Sequence, residues 1–403
     1  MTGATRSVPS GTALDDRGPL HVGVNLLWLV PGVVGGSEEY TVRALLALAD
    51  RDDPGLRVTL FALRQFSEAH PEIAERFEVV SSGSEGHRRA ERVARESTWL
   101  PRMVDQHGVD LVHHAGGVVP PGPMVARTPS LLTIHDLQPL VMPENFTSVK
   151  RRWLSAMLPR SVDRASLVAT PSEPASASVV ELLGVDPERV ITVPHGVEAA
   201  PEVGTDRLEA VRDRYRLSPR TILYPAIPYR HKDHATLVAA FSRLAGSRDD
   251  LTLVLAGGPG PVDAELAALI GRSGFGSRVR RTGRVPWPDL EALYALATVV
   301  AVPSRFEGFG APALEAMAAG RPLVAADATA LPWVVGDGGR LVAPGDVEGW
   351  ADALASIIDH PAEARRLGAA GKERSRAFTW ARTAEALSSG YRLAAAMSED
   401  GSA

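Results

Sequence analysis

Short β-branched runs recur along this 403-residue chain, each followed by a stretch with helical periodicity, and nothing else in it restricts the fold so tightly. The first set is Val22 to Leu27, Val58 to Ala62, Val109 to His113, Ser130 to Ile134, Leu167 to Ala169 and Val190 to Val193. Amphipathic helices such as Glu38 to Asp50 and Lys150 to Arg164 lie between them. The alternation restarts with Thr221 to Tyr224, Leu251 to Ala256, Arg278 to Thr282, Thr298 to Val302 and Pro322 to Ala325. Strands separated by helices pair in parallel, and a parallel sheet needs helices on both faces, so the expected class is α/β. The restart, with a length beyond one compact core, predicts two domains. The expected divisions are a disordered leader over 1–18, a first domain over 19–200, a linker over 201–216, a second domain over 217–375, and a final helix and tail over 376–403. The Pro/Gly/Ala stretch from Glu198 to Gly204 marks the boundary, and Phe378-Thr379-Trp380 opens the last helix.

Composition narrows the function classes. Hydrophobic residues at 45% and charged ones at 23% describe an ordinary globular protein, and a net charge of -5 gives no reason to expect nucleic acid. The absence of cysteine removes disulfides, thiolate zinc sites, iron–sulfur clusters and cysteine nucleophiles. No run approaches the ~18 apolar residues of a membrane-spanning helix. Met1 to Gly18 lacks the apolar core of a signal peptide, so the expected location is the cytoplasm. Basic residues cluster at His87 to Arg95 and at Lys150 to Arg164. Such runs are ordinarily solvated helix faces; they also suit an acidic acceptor or a phospholipid surface at the inner face of a membrane.

The segment Phe306-Glu307-Gly308-Phe309-Gly310-Ala311-Pro312-Ala313-Leu314-Glu315 places two carboxylates around a glycine-broken turn that runs into a helix. Gly308 and Gly310 leave the backbone bare, Pro312 suits the first helical turn, and Gly320 with Pro322 stops the helix. A strand, a glycine loop and a helix N-terminus form an anion site. With carboxylates beside it, a diphosphate carrying sugars would use every part.

Three further segments follow predicted strands. Leu131 to Ile134 ends in His135-Asp136, where a polar side chain projects from a strand end, or where loop carbonyls satisfy the ring. Gly35-Gly36 opens the first helix and serves either a phosphate or the turn alone; the fingerprint G-x-G-x-x-G is not met and no P-loop exists. Tyr224 to His234 carries Arg230 and Lys232 just before a helix. His231 and His234 have helical spacing for a metal, but no carboxylate cluster accompanies them, so no metal is expected.

The Phe306–Glu315 segment resembles the E-x7-E motif of retaining GT-B glycosyltransferases of family 4. That resemblance implies the GT-B fold: two Rossmann-like domains facing each other across a cleft, the first binding acceptor, the second nucleotide sugar, and a C-terminal helix crossing back. It further implies that Glu307 contacts the transferred sugar, Glu315 the ribose, His135 the sugar near the scissile bond, and Lys232 the donor diphosphate. The amides around Gly308, Phe309 and Gly310, with Gly35 and Gly36, would contact the phosphates. The family's Gly-Arg pair is replaced by Ala226-Ile227, and Arg230 stands as the substitute. His195 replaces the Asn of its Pro-Asn-Gly-Val, and Trp333 the acid of its Leu-Pro-Glu-Val-Val-Gly. The Tyr224–His234 wording is similar to a mannosyltransferase-like subgroup, which implies GDP-mannose ahead of UDP-sugars as donor and no further cofactor. The expected activity is retaining, metal-independent transfer of a hexose to a glycan, lipid or small-molecule acceptor. A sugar-nucleotide epimerase and a non-catalytic binding subunit are the alternatives.

Overall fold

A computed structural model of the chain describes residues 18–33, 35–122 and 128–400; all but the last residue of the expected leader lies outside that range. The first sheet contains β1 (Leu20–Asn25), β2 (Leu56–Ala62), β3 (Glu78–Ser81), β4 (Leu111–His114), β5 (Ser130–Thr133), β6 (Leu167–Thr170) and β7 (Val190–Thr192). The second contains β8 (Arg220–Tyr224), β9 (Leu251–Ala256), β10 (Val279–Gly283), β11 (Val299–Val302), β12 (Leu323–Ala326) and β13 (Arg340–Val342). Their orders are β3-β2-β1-β4-β5-β6-β7 and β10-β9-β8-β11-β12-β13, and every pairing is parallel. The central strands are buried along their lengths because helices cover both faces. Each order reverses beside the first strand of its sheet, and ligands of open α/β sheets lie beyond the carboxyl ends at such points.

Two strands were not evident in the sequence, and both are edges. Glu78–Ser81 is nowhere fully buried, and Arg340–Val342 is three residues long, so neither needs the apolar run that betrays a central strand. Within the expected linker, Thr205–Tyr215 is a helix whose Val211 joins the core of the second domain. Its Arg214 and Tyr215 reach the buried Asp289 at 2.7 and 2.9 Å, and Arg207 pairs with the same carboxylate.

The last helix, Trp380–Asp400, follows the second domain in sequence yet packs on the first. Ala384, Leu387, Tyr391 and Ala394 enter the first domain's core beside Leu45 and Leu48. Tyr391 OH is 2.9 Å from His113 Nδ1, and Arg392 reaches Asp53 at 2.7 Å. Tyr391→Ala should therefore cost about 3–5 kcal/mol and Tyr391→Phe roughly 1 kcal/mol in denaturant unfolding. Equal losses from the two would show that the hydroxyl, not the ring, holds the helix.

Candidate active site

β11 delivers the chain to the loop Phe306–Gly310, and Ala311–Ala318 continues as a helix. Gly310 has φ +105°, and a Cβ there would lie 2.6 Å from Leu331. Gly308 is constrained differently: a Cβ on it would stand 2.0 Å from the carbonyl oxygen of His135, in the other domain. Only a residue without a side chain lets the two backbones meet. Ser172 Oγ donates to the Gly308 carbonyl at 2.7 Å and secures the contact. Phe309 is buried in the same junction. Its ring stacks on His195 at 4.5 Å, and His195 stacks in turn on Tyr40 at 4.2 Å. Trp333 and Phe378 extend the cluster edge-on to Phe309. The two aromatic departures from the family pattern, His195 and Trp333, thus belong to one interdomain stack.

Glu307 Oε1 accepts from Lys232 Nζ at 2.7 Å, in a pair only 11% and 18% exposed. Lys232 closes a single 3-10 turn, Arg230–Lys232, and its carbonyl accepts from the buried Tyr224 hydroxyl at 2.8 Å. Asp233 then caps the helix His234–Ala245 from a left-handed conformation. Glu307, Lys232, Arg230, His135 and Gly308 all line one cavity of about 950 Å³. Arg230 stands at its edge, 61% exposed and 3.3 Å from Glu265.

His135 donates its Nε2 proton to the Ala115 carbonyl at 3.0 Å, which leaves Nδ1 as the ring's acceptor. Burial holds the imidazole below its usual pKa and hence neutral. Asp136 accepts from the Gln138 amide at 2.9 Å and so fixes the loop.

Glu315 opens on a second cavity, about 560 Å³, with Glu39, Trp287 and Arg321. Its Oε2 accepts from Tyr294 OH at 2.7 Å, and burial pushes its pKa up to about 7. Tyr294 carries no sequence signal: it sits in an apolar helix, 21 residues before its partner, and looks like core. The two acids of the motif therefore face different spaces. The helix Gly36–Asp50 joins them, since Gly36 lines the smaller cavity and Ser37 the larger. Gly35 has φ +79°, and the Cβ positions of both glycines face open space. Among the described residues no group of three or more metal-ligating side chains comes together. His231 stacks on Tyr229, whereas His234 is buried against Tyr224.

The family described as "Glycosyltransferase Family 4" matches residues 34–200, and "Glycosyl transferases group 1" matches residues 219–360. A D-inositol 3-phosphate glycosyltransferase of Nocardia farcinica is 30% identical over 401 residues, covering 90% of this chain and 86% of that protein. The chain belongs to the family 4, group 1 glycosyltransferases. An MMP alpha-(1->4)-mannosyltransferase of Mycolicibacterium hassiacum is 35% identical over 238 residues, covering 57% of this chain; the match spans about half, 55%, of that relative's length. Among solved structures, Anabaena HepE in complex with UDP and glucose superposes with a TM-score of 0.72 at 21% identity, over 92% of this chain and 98% of its own, which shows the GT-B fold.

The raised pKa of Glu315 makes a signed prediction. Its folded value, about 7, lies above the ordinary 4.5, so this carboxyl's contribution to stability is complete below pH 4.5 and is lost as the pH rises through 7. Glu315→Gln keeps an acceptor for Tyr294 but cannot ionise. Relative to the parent, the variant should gain on the order of 1–3 kcal/mol between about pH 5 and pH 8, read by urea unfolding. A difference that does not vary with pH would show that Glu315 is ionised throughout.

Proposed function

We propose that the chain transfers a hexose, mannose ahead of others, from a nucleotide-diphosphate sugar to a glycan, lipid or small-molecule acceptor, with retention at the anomeric carbon. The observation that carries this reading is the cavity shared by the Lys232–Glu307 pair and the neutral His135. The sugar occupies this cavity and the ribose lies toward Glu315. The diphosphate crosses the N-terminus of the helix Gly36–Asp50, which among the described residues is the one element that lines both spaces with adjacent residues. HepE, solved with UDP and glucose, supports a nucleotide-sugar donor. The relative named as a mannosyltransferase supports mannose, and the preference for GDP-mannose over UDP-sugars rests on the likeness of the Tyr224–His234 segment to the mannosyltransferase-like subgroup.

The chemistry follows from charge. As the bond between anomeric carbon and phosphate oxygen breaks, negative charge grows on the diphosphate and positive charge on the sugar ring. Lys232 moves from Glu307 to the phosphate and stabilises the first. The carboxylate of Glu307, released from its partner, stabilises the second. A neutral His135 adds no repulsion to the cationic ring, which a protonated one would. The acceptor oxygen enters on the face the phosphate leaves, and its proton passes to a phosphate oxygen of the leaving group.

Glu307→Gln should lower transfer about a hundredfold or more while changing nucleoside diphosphate affinity little, because its charge acts mainly in the transition state. Glu315→Gln should weaken nucleotide binding instead, by roughly 1.5–3 kcal/mol. Wild-type transfer by Glu307→Gln would remove that acid from the chemistry. Turnover should also persist in EDTA, since Lys232 takes the place of a metal at the phosphates; loss on chelation, restored by magnesium or manganese, would refute this. Acceptor-dependent release of nucleotide separates transfer from epimerisation and from mere binding.

A further inference from the structure

The larger cavity has a second charged wall that donor binding leaves unused. Two long helices of the first domain, Arg89–Gln106 and Ser148–Arg164, begin there. The first supplies Arg89 and Arg92 in its opening turn and the second supplies Lys150, and all three line the cavity. Aromatic rings from the second helix and the segment before it hold the cations in place. The Arg89 guanidinium lies 4.1 Å from the centre of Trp153, and Lys150 Nζ lies 4.9 Å from that of Phe146. Loss of solvent, and then the charge of Arg89, holds the Lys150 ammonium below its usual pKa, so the two cations sense each other.

Among the described residues no carboxylate makes a direct ion pair with Arg89 or Lys150; Glu96 and Asp136 act on them only through space, and Arg92 donates to the Gly86 carbonyl at 2.9 Å. The placement also runs against helix electrostatics, because the positive end of a helix favours acids in its first turn. The helix Ser148–Arg164 has none there. The single acid in the first turn of the other, Glu91, accepts from Ser84 Oγ at 2.6 Å. Like charges gathered at two positive helix ends repel one another until an anion joins them. On the same helix as Arg89, Glu96 takes a hydrogen bond from Asn25 at 3.1 Å and lines the same cavity, a carboxylate suited to hydroxyl groups.

We propose that this wall holds the acceptor by an anionic group, a phosphate ester in particular, with Arg89, Arg92 and Lys150 as its contacts. The acceptor is then a hydroxylated molecule that carries a phosphate, either free in solution or as a lipid headgroup. This rests on the reading of the cavity as a transferase cleft, so the test keeps the two claims apart.

The whole chain, with saturating nucleoside diphosphate present, is titrated with inorganic phosphate against chloride at equal ionic strength and followed by thermal unfolding. Phosphate should raise the midpoint beyond the chloride control. Arg89→Gln and Lys150→Gln should each weaken the apparent phosphate affinity about tenfold or more, with nucleoside diphosphate affinity unchanged as the check of fold. No phosphate-specific shift, or a shift undiminished in both variants, overturns the proposal. Failure of the nucleoside diphosphate itself to bind overturns the transferase reading, while the phosphate titration still decides the wall. Soluble glucose 6-phosphate and phosphatidylinositol vesicles distinguish the source. Competition by the soluble ester marks a free phosphate, vesicle association abolished by both variants marks a headgroup, and neither result overturns the assignment to an acceptor.

Discussion

The backbone of Gly308 meets the backbone of His135 with no room for a side chain between them, and the geometry of the cleft depends on that contact. It joins the loop after β11 in one domain to the loop after β5 in the other. Because the domains touch there, His135 and Glu307 line one cavity although they come from separate sheets. The rings of Tyr40, His195 and Phe309 stack beside the contact and set the distance between the domains, as the Ser172 hydrogen bond sets its register. The crossing helix adjoins the same stack, with Trp380 near Tyr40, and reaches the first domain's core at Tyr391. A close-packed junction of this kind has few intermediate positions, so the two walls of the cavity are placed together.

Within that frame the environment of each acid separates their roles. Glu307 is shielded and held by Lys232 at 2.7 Å, a partner for which a phosphate would compete in the proposed reading. Among the described residues the Glu315 carboxyl has a neutral phenol, Tyr294, as its one side-chain hydrogen-bond partner, and burial brings its pKa to about 7. These environments support the proposed division, in which Glu307 acts through its charge and Glu315 through hydrogen bonds to hydroxyl groups.

Much of this was legible in the sequence because it is local. Strands buried on both faces must be continuous apolar runs, and so all central strands were found, whereas the edges Glu78–Ser81 and Arg340–Val342 carry no such requirement. The E-x7-E segment announced itself because a glycine turn, a helix start and two acids fall within ten residues. The partners that tune those acids did not. Tyr294 and Tyr224 are apolar by sequence pattern and are identified only by where their hydroxyls point. His195 and Trp333 looked like lapses from a family pattern until the structure brought them to Phe309 and its stack. Gly308 read as room for a ligand, yet on its Cβ side that room is filled by His135. Spacing along a chain does not disclose a contact between two domains.

The dependence of the site on that contact can be measured in one variant. Gly308→Ala inserts a methyl group where 2.0 Å separates its position from the His135 carbonyl, and the domains must part to admit it. Sugar transfer should fall about a hundredfold or more, as misplacement by an ångström suffices for that. Nucleoside diphosphate affinity, for which the proposed reading draws on Glu315 and Lys232 of the second domain and on the helix Gly36–Asp50 of the first, should fall by less than transfer does. Transfer at the parent rate by Gly308→Ala would show that the two walls need not meet for catalysis, and the account would fail at its centre.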